Sequence, residues 1–175
     1  MQLRELMYGS ARSYGVPYES TLTFHIHPRQ LRTYKEMDEL TFDNGDFFVP
    51  KSPNNPLFDF LVFEDQGDRV VVWVMQVTVG IQQNTGSNEG YAILEQIQRE
   101  AQSRIGSGEV VFRYVLVLPH GEGQISWQFP DDVKTETGEV LHKFIPGEVF
   151  IQYLLTDFLV PDLLRLHLST IHDSA

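Results

Sequence analysis

Residues 58–79 read FDFLVFEDQGDRVVVWVMQVTV and carry the strongest structural signal in the chain. Two runs rich in β-branched and aromatic residues, 58–64 and 69–79, are connected by the short polar segment DQGD at 65–68. A short glycine-containing connection between two such runs is typical of a β-hairpin. We therefore predict two adjacent antiparallel strands in the middle of the chain.

Outward from this hairpin, the clearest helix is expected at residues 89–105. Its predicted inner stripe consists of Tyr91, Leu94, Ile97, Ala101 and Ile105. The near-continuous apolar run EVVFRYVLVLP at 109–119 predicts a buried strand. Weaker extended segments are expected at 32–37 and 46–50, before the hairpin.

The two ends of the chain predict helices. Residues 2–12 place Leu3, Leu6 and Met7 on one helical stripe, and Pro17 can open a second helix that Pro28 would end. The β-branched and aromatic run at 21–26 favours a strand instead. Residues 147–168 are expected to be helical and apolar, packing on the sheet with an interruption at Pro161.

The predicted order α, β, β, β, α, β describes an α/β fold with a central mixed sheet flanked by helices. A length of 175 residues fits one domain. We expect a core at about 15–120 and a C-terminal helical extension at about 145–172.

The composition restricts the class of protein. Lys and Arg number 13 against 24 Asp and Glu, giving a net charge of −11, which argues against nucleic-acid binding by bulk charge. The 42% of hydrophobic residues excludes a disordered chain, and the absence of cysteine excludes disulfides and thiolate chemistry. Acidic residues concentrate in 36–68, which is either a solvated face or a surface for a cation or a basic partner.

No membrane partner is expected. The longest uninterrupted apolar run, residues 70–75, is far shorter than the roughly 20 residues of a spanning helix. Residues 1–8 lack the apolar segment of a secretory signal peptide. The chain also lacks the GxxxxGK[ST], GxGxxG and GxSxG patterns of nucleotide-binding proteins and α/β-hydrolases.

One group of polar residues points to metal chemistry. Asp59 lies near the start of the first hairpin strand, and Gln76 and Thr78 lie on one face near the end of the second. The Asp59 carboxylate, the Gln76 side-chain oxygen and the Val77 carbonyl could together hold Mg²⁺, which prefers oxygen ligands. Glu19, on the preceding predicted helix, could add a carboxylate. The alternative is structural: Asp59 caps a strand end, and the other residues are ordinary surface positions.

Four segments taken together resemble a known family. They are GVPYE at 15–19, FVPKSPNNPLFD at 48–59, WVMQVT at 73–78 and FRYVLVLP at 112–119. In this order they resemble the nuclease-like domain shared by Crinkler effectors and retrotransposon hot spot proteins. That domain belongs to the PD-(D/E)XK restriction-endonuclease-like superfamily, and the resemblance covers about residues 15–120.

The resemblance implies a restriction-endonuclease-like αβββαβ core and specific roles. Glu19 would be the helix-borne acidic residue, Asp59 the strand-borne metal ligand, and Gln76 the replacement for the second acidic ligand. It implies Mg²⁺ or Mn²⁺ as cofactor and DNA as substrate if the domain is active. It also implies a nuclear location, in the host nucleus if the chain is a secreted effector.

The chain departs from the family pattern beside this site. Thr78 occupies the position of a lysine that orients the attacking water, and Gln82 and Gln83 stand where relatives often have a histidine. A lysine elsewhere in the fold could act instead, and Lys51 is the nearest in sequence.

Three functional hypotheses follow. The one we favour is a pseudonuclease with a degenerate site, which serves as a protein-interaction module through its apolar C-terminal helices. An active metal-dependent endonuclease would need Glu19, Asp59 and Gln76 to converge. It would also need a basic rim, whose candidates are Arg4, Arg12, Arg29, Arg32 and Lys35. The third is an α/β binding domain unrelated to nucleases.

Overall fold

A computed structural model of the chain describes residues 2–8, 13–23, 30–42, 46–52, 55, 57–77, 82–84, 88–119, 126–128, 133–134, 137–138, 140–142 and 145–154. These residues contain twelve strands, one α-helix and a short 3-10 helix at Met37–Glu39. The elements in chain order are β1 (Gln2–Tyr8), β2 (Ser13–Thr23), β3 (Leu31–Tyr34), β4 (Phe47–Pro50), β5 (Phe60–Asp65), β6 (Arg69–Val77), β7 (Gln82–Asn84), α1 (Asn88–Ile105), β8 (Glu109–Pro119), β9 (Ser126–Gln128), β10 (Val133–Lys134), β11 (Val140–His142) and β12 (Gly147–Leu154).

Ten of these strands form one mixed sheet in the order β3-β4-β5-β6-β8-β12-β1-β2-β9-β7, and β10 pairs with β11 separately. The first six strands of that order form its mixed core. Within it, β5 runs antiparallel to both β4 and β6, whereas β6, β8 and β12 are parallel to one another. The broad α/β class predicted from the sequence is confirmed.

The predicted hairpin is present. β5 and β6 pair antiparallel with Phe60 opposite Met75 and Asp65 opposite Val70. Gly67 turns the chain at φ +87°, and its N–H donates to Asp65 Oδ1 at 2.7 Å. A residue in this left-handed region favours glycine, which explains the turn between the two strands.

Alternation along the strands gives the core of the sheet two apolar faces. The face beneath α1 buries the larger cluster, which includes Leu61, Val72, Val74, Leu116 and Ile151. The opposite face buries Val62, Val71, Trp73, Met75, Val115, Val117 and Phe150. Burial on both faces accounts for the near-continuous apolar sequences of β6 and β8.

Helix α1 packs on the first face through the predicted stripe. Tyr91, Leu94, Ile97 and Ala101 are buried there, and Ile105 is partly buried against them. The helix approaches the residues before β5 closely at Gly90, where an added Cβ would overlap the Leu57 side chain. This close approach holds the start of α1 against the segment that leads into β5.

The helices predicted near the N-terminus are wrong. Residues 2–8 and 13–23 are the antiparallel strands β1 and β2, and the β-branched signal at 21–26 was the better guide as far as residue 23. Pro17 lies opposite Leu6, beyond a register shift between Arg4 and Leu6. A proline that donates no hydrogen bond is tolerated in a strand at such an irregularity.

The helix predicted at 147–168 is also wrong over its first eight residues. Gly147–Leu154 is β12, which pairs in parallel with β8 from Phe112 to Pro119. Val149 and Ile151 enter the larger apolar cluster, and Phe150 enters the opposite one. This alternation has the period of a strand. Residues 155–168 lie outside the described residues.

Within the described ranges, no helix is long and apolar enough to cross a membrane.

Candidate functional site

Asp59 and Gln76 come together at one end of the β5–β6 pair. The antiparallel register of the two strands ends with Phe60 opposite Met75, and Asp59 and Gln76 are the residues just beyond this last pair. Asp59 is exposed, Gln76 is half-buried, and Val77 is 50% exposed at the end of β6. The hairpin thus brings Asp59 to the end of β6, and the metal-binding role predicted for these residues stays a prediction.

Two hydrogen bonds fix Asp59 against β6. Its backbone N–H donates to the Met75 carbonyl at 2.9 Å, and its Oδ2 accepts the Val77 N–H at 2.6 Å. Oδ1 has no hydrogen-bond partner in the described part of the chain. The carboxylate is thus held at the strand end with one oxygen available.

The segment before Asp59 is ordered by a side-chain cap. Asn55 Oδ1 accepts the N–H groups of Leu57 at 3.1 Å and Phe58 at 3.3 Å. Leu57 and Phe58 are themselves fully buried. An asparagine that bonds backbone groups two and three residues ahead is a usual device for turning a chain, and here it presents Asp59 at the start of the hairpin.

Gln76 has a polar atom without a partner. Val70, Val72 and Val74 face α1, and alternation puts Gln76 on the same side. Its Oε1 is buried and accepts no hydrogen bond within the described residues. A buried carbonyl oxygen left unpaired is costly, so a donor or cation that reached this atom would stabilise the protein.

The oxygens at this strand end fit a hard cation in type. One carboxylate oxygen of Asp59, the amide oxygen of Gln76 and the backbone carbonyl of Val77 are the kinds of ligand that Mg²⁺ takes. The set contains a single carboxylate. Among the described side chains, no three His, Asp or Glu residues lie close enough to hold a metal ion together.

Glu19, the second predicted carboxylate, is placed elsewhere in the sheet. It lies in β2 rather than on a helix, and β8, β12 and β1 stand between β2 and β6. Four strand spacings correspond to about 19 Å along the sheet. Glu19 falls between Pro17 and Thr21, where the β1–β2 register shifts. Its backbone position is not brought next to Asp59.

Several other predicted residues fall outside the described ranges, namely Thr78, Arg12 and Arg29. Of the candidate basic rim, Arg32 forms an ion pair with Asp46, and Lys35 Nζ lies 3.6 Å from Glu36 Oε1. Arg4 lies in β1, at the level of Ile151 of β12. The described members of this set thus lie on β1 and at the β3 edge of the sheet, which are separated by five strands.

Tyr34 was missed by sequence reasoning. It ends β3 opposite Pro50 of β4, and it is only 3% exposed, with a hydroxyl that has no hydrogen-bond partner in the described chain. Burial raises the pKa of the Tyr34 phenol well above its ordinary value of 10.0. β3 is two strands away from β5 in the sheet, and the burial of Tyr34 depends on this strand order, so no local sequence pattern could have indicated it.

The opposite face of the sheet carries a charged pair beside Trp73. Trp73, Arg113 and Glu148 occupy one row across β6, β8 and β12. Arg113 Nε donates to Glu148 Oε2 at 2.7 Å, and the guanidinium lies 5.0 Å from the centre of the Trp73 ring. Because the Arg113 charge is paired with Glu148 and lies over the Trp73 ring, we assign these three residues a structural role.

Comparisons of the chain with protein-family models, with curated proteins and with solved structures find no significant match. The structure itself defines a mixed α/β protein in which Asp59, Gln76 and Val77 place oxygen atoms at one end of the β5–β6 pair.

Proposed function

We propose that the chain is a PD-(D/E)XK nuclease-like domain with a degenerate active site, weak or inactive in cleavage, that acts as a protein-interaction module. Support for the fold comes from β4, β5, β6, α1 and β8. They form three successive antiparallel strands, a helix, and a strand parallel to the third. This order supports the proposal because it resembles the βββαβ part of the expected αβββαβ core. The helix expected to precede it corresponds to β2.

The observation that carries the degenerate site is the separation of the two carboxylates. Asp59 stands at the strand end, whereas Glu19 lies four strands away from β6. The site also has the neutral Gln76 and Thr78 where a carboxylate and a lysine would stabilise charge on a phosphate. Two neutral side chains at those positions weaken the electrostatic stabilisation on which such hydrolysis depends.

Plasmid nicking in Mg²⁺ or Mn²⁺ at low salt tests this proposal. The four proteins to compare are the wild type, Asp59→Ala, Thr78→Lys and the double variant. A degenerate site predicts no nicking by the wild type, and nicking by Thr78→Lys that the additional Asp59→Ala change removes. The lysine would supply the missing charge, and the double variant shows whether that activity uses Asp59.

Two results would contradict the proposal in different ways. Nicking by the wild type that Asp59→Ala abolishes would mean that the site is active as it stands. A folded Thr78→Lys protein that does not nick would mean that Asp59 and Gln76 do not form a nuclease-like site, and an unrelated α/β binding domain would then be favoured.

The second candidate is an active Mg²⁺-dependent DNA endonuclease. What favours it is the pair of available oxygens, Asp59 Oδ1 and Gln76 Oε1, on adjacent strands. A bound divalent ion supplies Lewis acidity and lowers the pKa of its water. The Asp59→Ala comparison in the wild-type background distinguishes this candidate from the first.

For the interaction role, we infer a partner with a basic surface. The region 36–68 contains nine acidic residues and one basic residue, and Glu36, Asp38 and Glu39 are exposed together after β3. The C-terminal apolar helix expected to provide an interface is β12 over 147–154, and its Val149, Phe150 and Ile151 are buried. The acidic surface is therefore the stronger candidate.

A labelled oligolysine peptide can measure this preference at low salt. Glu36→Gln with Asp38→Asn should weaken its binding several-fold. The matched control, Glu100→Gln with Glu109→Gln, removes the same charge from exposed positions elsewhere. Equal weakening by both pairs would mean that only net charge matters and that no acidic docking surface exists.

The proposed location is the nucleus. Microscopy of the fluorescently tagged chain tests it, and exclusion of the tagged chain from the nucleus would contradict it.

A further inference from the structure

β3 is the last strand of the large sheet in the described chain, and its outer edge is open. β4 lies on one side of β3, and no described strand lies on the other. The pairing of β3 with β4 is parallel and runs from Leu31 opposite Phe47 to Tyr34 opposite Pro50. An edge strand presents a row of backbone N–H and C=O groups with which a strand of another chain can pair.

The hydrogen bonds of β3 show which of its backbone groups point away from the sheet. The carbonyls of Gln30 and Tyr34 accept backbone N–H groups from the β4 side, at 2.9 Å and 2.8 Å. Successive residues of a strand direct their backbone groups to opposite edges, so those of Leu31 and Thr33 point outward. No described strand or turn supplies a partner for these outward groups.

The side chains along this edge are exposed to solvent. Leu31, Arg32 and Thr33 are all exposed, and Leu31, at 70%, is the most exposed large hydrophobic residue among those described. Leu31 lies beside Phe47, whose ring is 5.6 Å from the ring of Phe60 on β5 in an edge-to-face arrangement. An apolar row that crosses three strands therefore ends at the open edge with its outermost side chain uncovered.

The charge beside this edge favours a basic partner. Three of the four residues at 36–39, directly after β3, are acidic and exposed. The nearby cations already have acidic neighbours, since Arg32 pairs with Asp46 and Lys35 lies beside Glu36. A second copy of this chain carries a net charge of −11 and would bring its own acidic segment to the same edge, which opposes self-pairing.

We propose that the open edge of β3 binds an extended basic peptide of a partner protein by strand addition. The backbone groups of Leu31 and Thr33 form the main-chain hydrogen bonds, and an apolar side chain of the peptide covers Leu31. Basic residues of the peptide lie beside the acidic residues at 36–39. In this mode of recognition, main-chain bonds supply affinity and alternate side chains supply specificity. This inference rests on the interaction role proposed above and defines how the basic partner is held.

The test is fluorescence anisotropy of a short labelled peptide of alternating lysine and valine, measured with the full chain at low salt. Its control is the same peptide with every backbone amide N-methylated, which keeps the charge and the side chains but removes the backbone donors. Strand addition predicts that the unmodified peptide binds at least about tenfold more tightly than the methylated one.

Thr33→Pro blocks the edge from the side of the protein. Proline removes the outward N–H but no hydrogen bond to β4, because the backbone groups of Thr33 point away from β4. It should weaken binding at least about tenfold, whereas Thr33→Val, which keeps the N–H, should change it less than about twofold. The thermal midpoint shows whether Thr33→Pro is folded. Leu31→Ala leaves the backbone unchanged and should weaken binding several-fold through lost apolar contact.

The outcomes separate this inference from the acidic surface proposed above. If Glu36→Gln with Asp38→Asn weakens binding while N-methylation and Thr33→Pro do not, the acidic surface stands and strand addition is wrong. If none of these changes alters binding, both proposals fail. If the wild type does not bind the alternating peptide, strand addition is overturned, and the oligolysine measurement decides separately on the acidic surface.

Two further results complete the test. If Thr33→Pro does not fold, Leu31→Ala and the methylated peptide decide, and binding unchanged by both would overturn strand addition. Sedimentation of the wild type and Thr33→Pro identifies the occupant of the edge. A wild-type dimer that Thr33→Pro dissociates would mean that a second copy, and not a basic partner, pairs with β3.

Discussion

Asp59 Oδ2 accepts the backbone N–H of Val77 at 2.6 Å, and this contact joins the start of β5 to the end of β6. The hydrogen bond to Oδ2 fixes the orientation of the Asp59 carboxylate and so determines where Oδ1 lies. The same bond holds the last residue of β6 in place, next to the Gln76 amide. The geometry of the candidate site therefore depends on a bond whose loss can be measured separately from any activity.

Asp59→Ala should lower the free energy of unfolding by about 0.5–1 kcal/mol, because the half-exposed Val77 N–H can turn to water. Asp59→Asn keeps an acceptor oxygen and should stay within about 0.5 kcal/mol of the wild type. Urea unfolding of the three proteins measures both values. An equal loss in both variants would mean that the hydrogen bond itself contributes little.

Gly90→Ala should destabilise the protein although alanine favours a helix by about 1 kcal/mol. The new Cβ would overlap Leu57, which is fully buried and cannot move aside. Overpacking of this kind costs about 1–3 kcal/mol. We expect a net loss in urea unfolding.

Leu57→Gly tests the cause of that loss, because the atom that the new methyl group would overlap is the Leu57 Cβ itself. Alone it should cost more than the about 2–5 kcal/mol of a leucine cut back to alanine, since glycine also loses more conformational freedom on folding. Combined with Gly90→Ala it should cost clearly less than the sum of the two changes, because the overlapping Cβ is then gone. Simple additivity would place the Gly90 effect elsewhere.

Tyr34→Phe should change the pH dependence of stability at alkaline pH. In the unfolded chain the phenol ionises near its ordinary pKa of 10.0, whereas burial raises the pKa in the folded protein. The unfolded state thus releases its proton first, so stability is complete below pH 10.0 and falls as pH rises above it. The variant should lose less stability over that range.

Urea midpoints from neutral pH to about pH 11 measure this effect for both proteins. At neutral pH the two should be nearly equal, or the variant slightly more stable, because the hydroxyl that is removed has no partner in the described residues. If the urea midpoints of the two proteins changed in parallel throughout the alkaline range, the conclusion that Tyr34 is buried in its neutral form would be wrong.

Arg113 should matter more for stability than Glu148. The Glu148 side chain is 46% exposed, so Glu148→Gln should cost less than about 1 kcal/mol. Arg113→Ala also removes the stacking on Trp73, worth about 0.5–1 kcal/mol, and the packing of the side-chain stem. Chemical denaturation gives the order, and a larger effect at Glu148 would contradict it.

The centre of the fold could be predicted from the sequence because its signals are local. The turn at Gly67, the apolar run of β8 and the stripe of α1 each fall within a short window, and each agrees with the structure. The position of Asp59 beside the end of β6 followed from the hairpin alone.

The ends of the chain could not be predicted in the same way. The apolar residues of β1 and β12 fit a helical stripe as well as a strand, and only pairing with distant segments decides between them. The role of Glu19 depended on a helix at 17–27, so it failed with that helix. Tyr34 is buried through the order of the strands, which no short window of sequence contains.

The pairing of β1 with β12 sets an order of events during synthesis. Arg4 is made long before Ile151, its partner in the sheet. On the ribosome, β1 and β2 can pair early because they are close in sequence, but the free edge of β1 stays open until β12 emerges. Over that interval it is an unpaired strand edge that could bind another chain, so slow translation or truncation before residue 147 should favour aggregation.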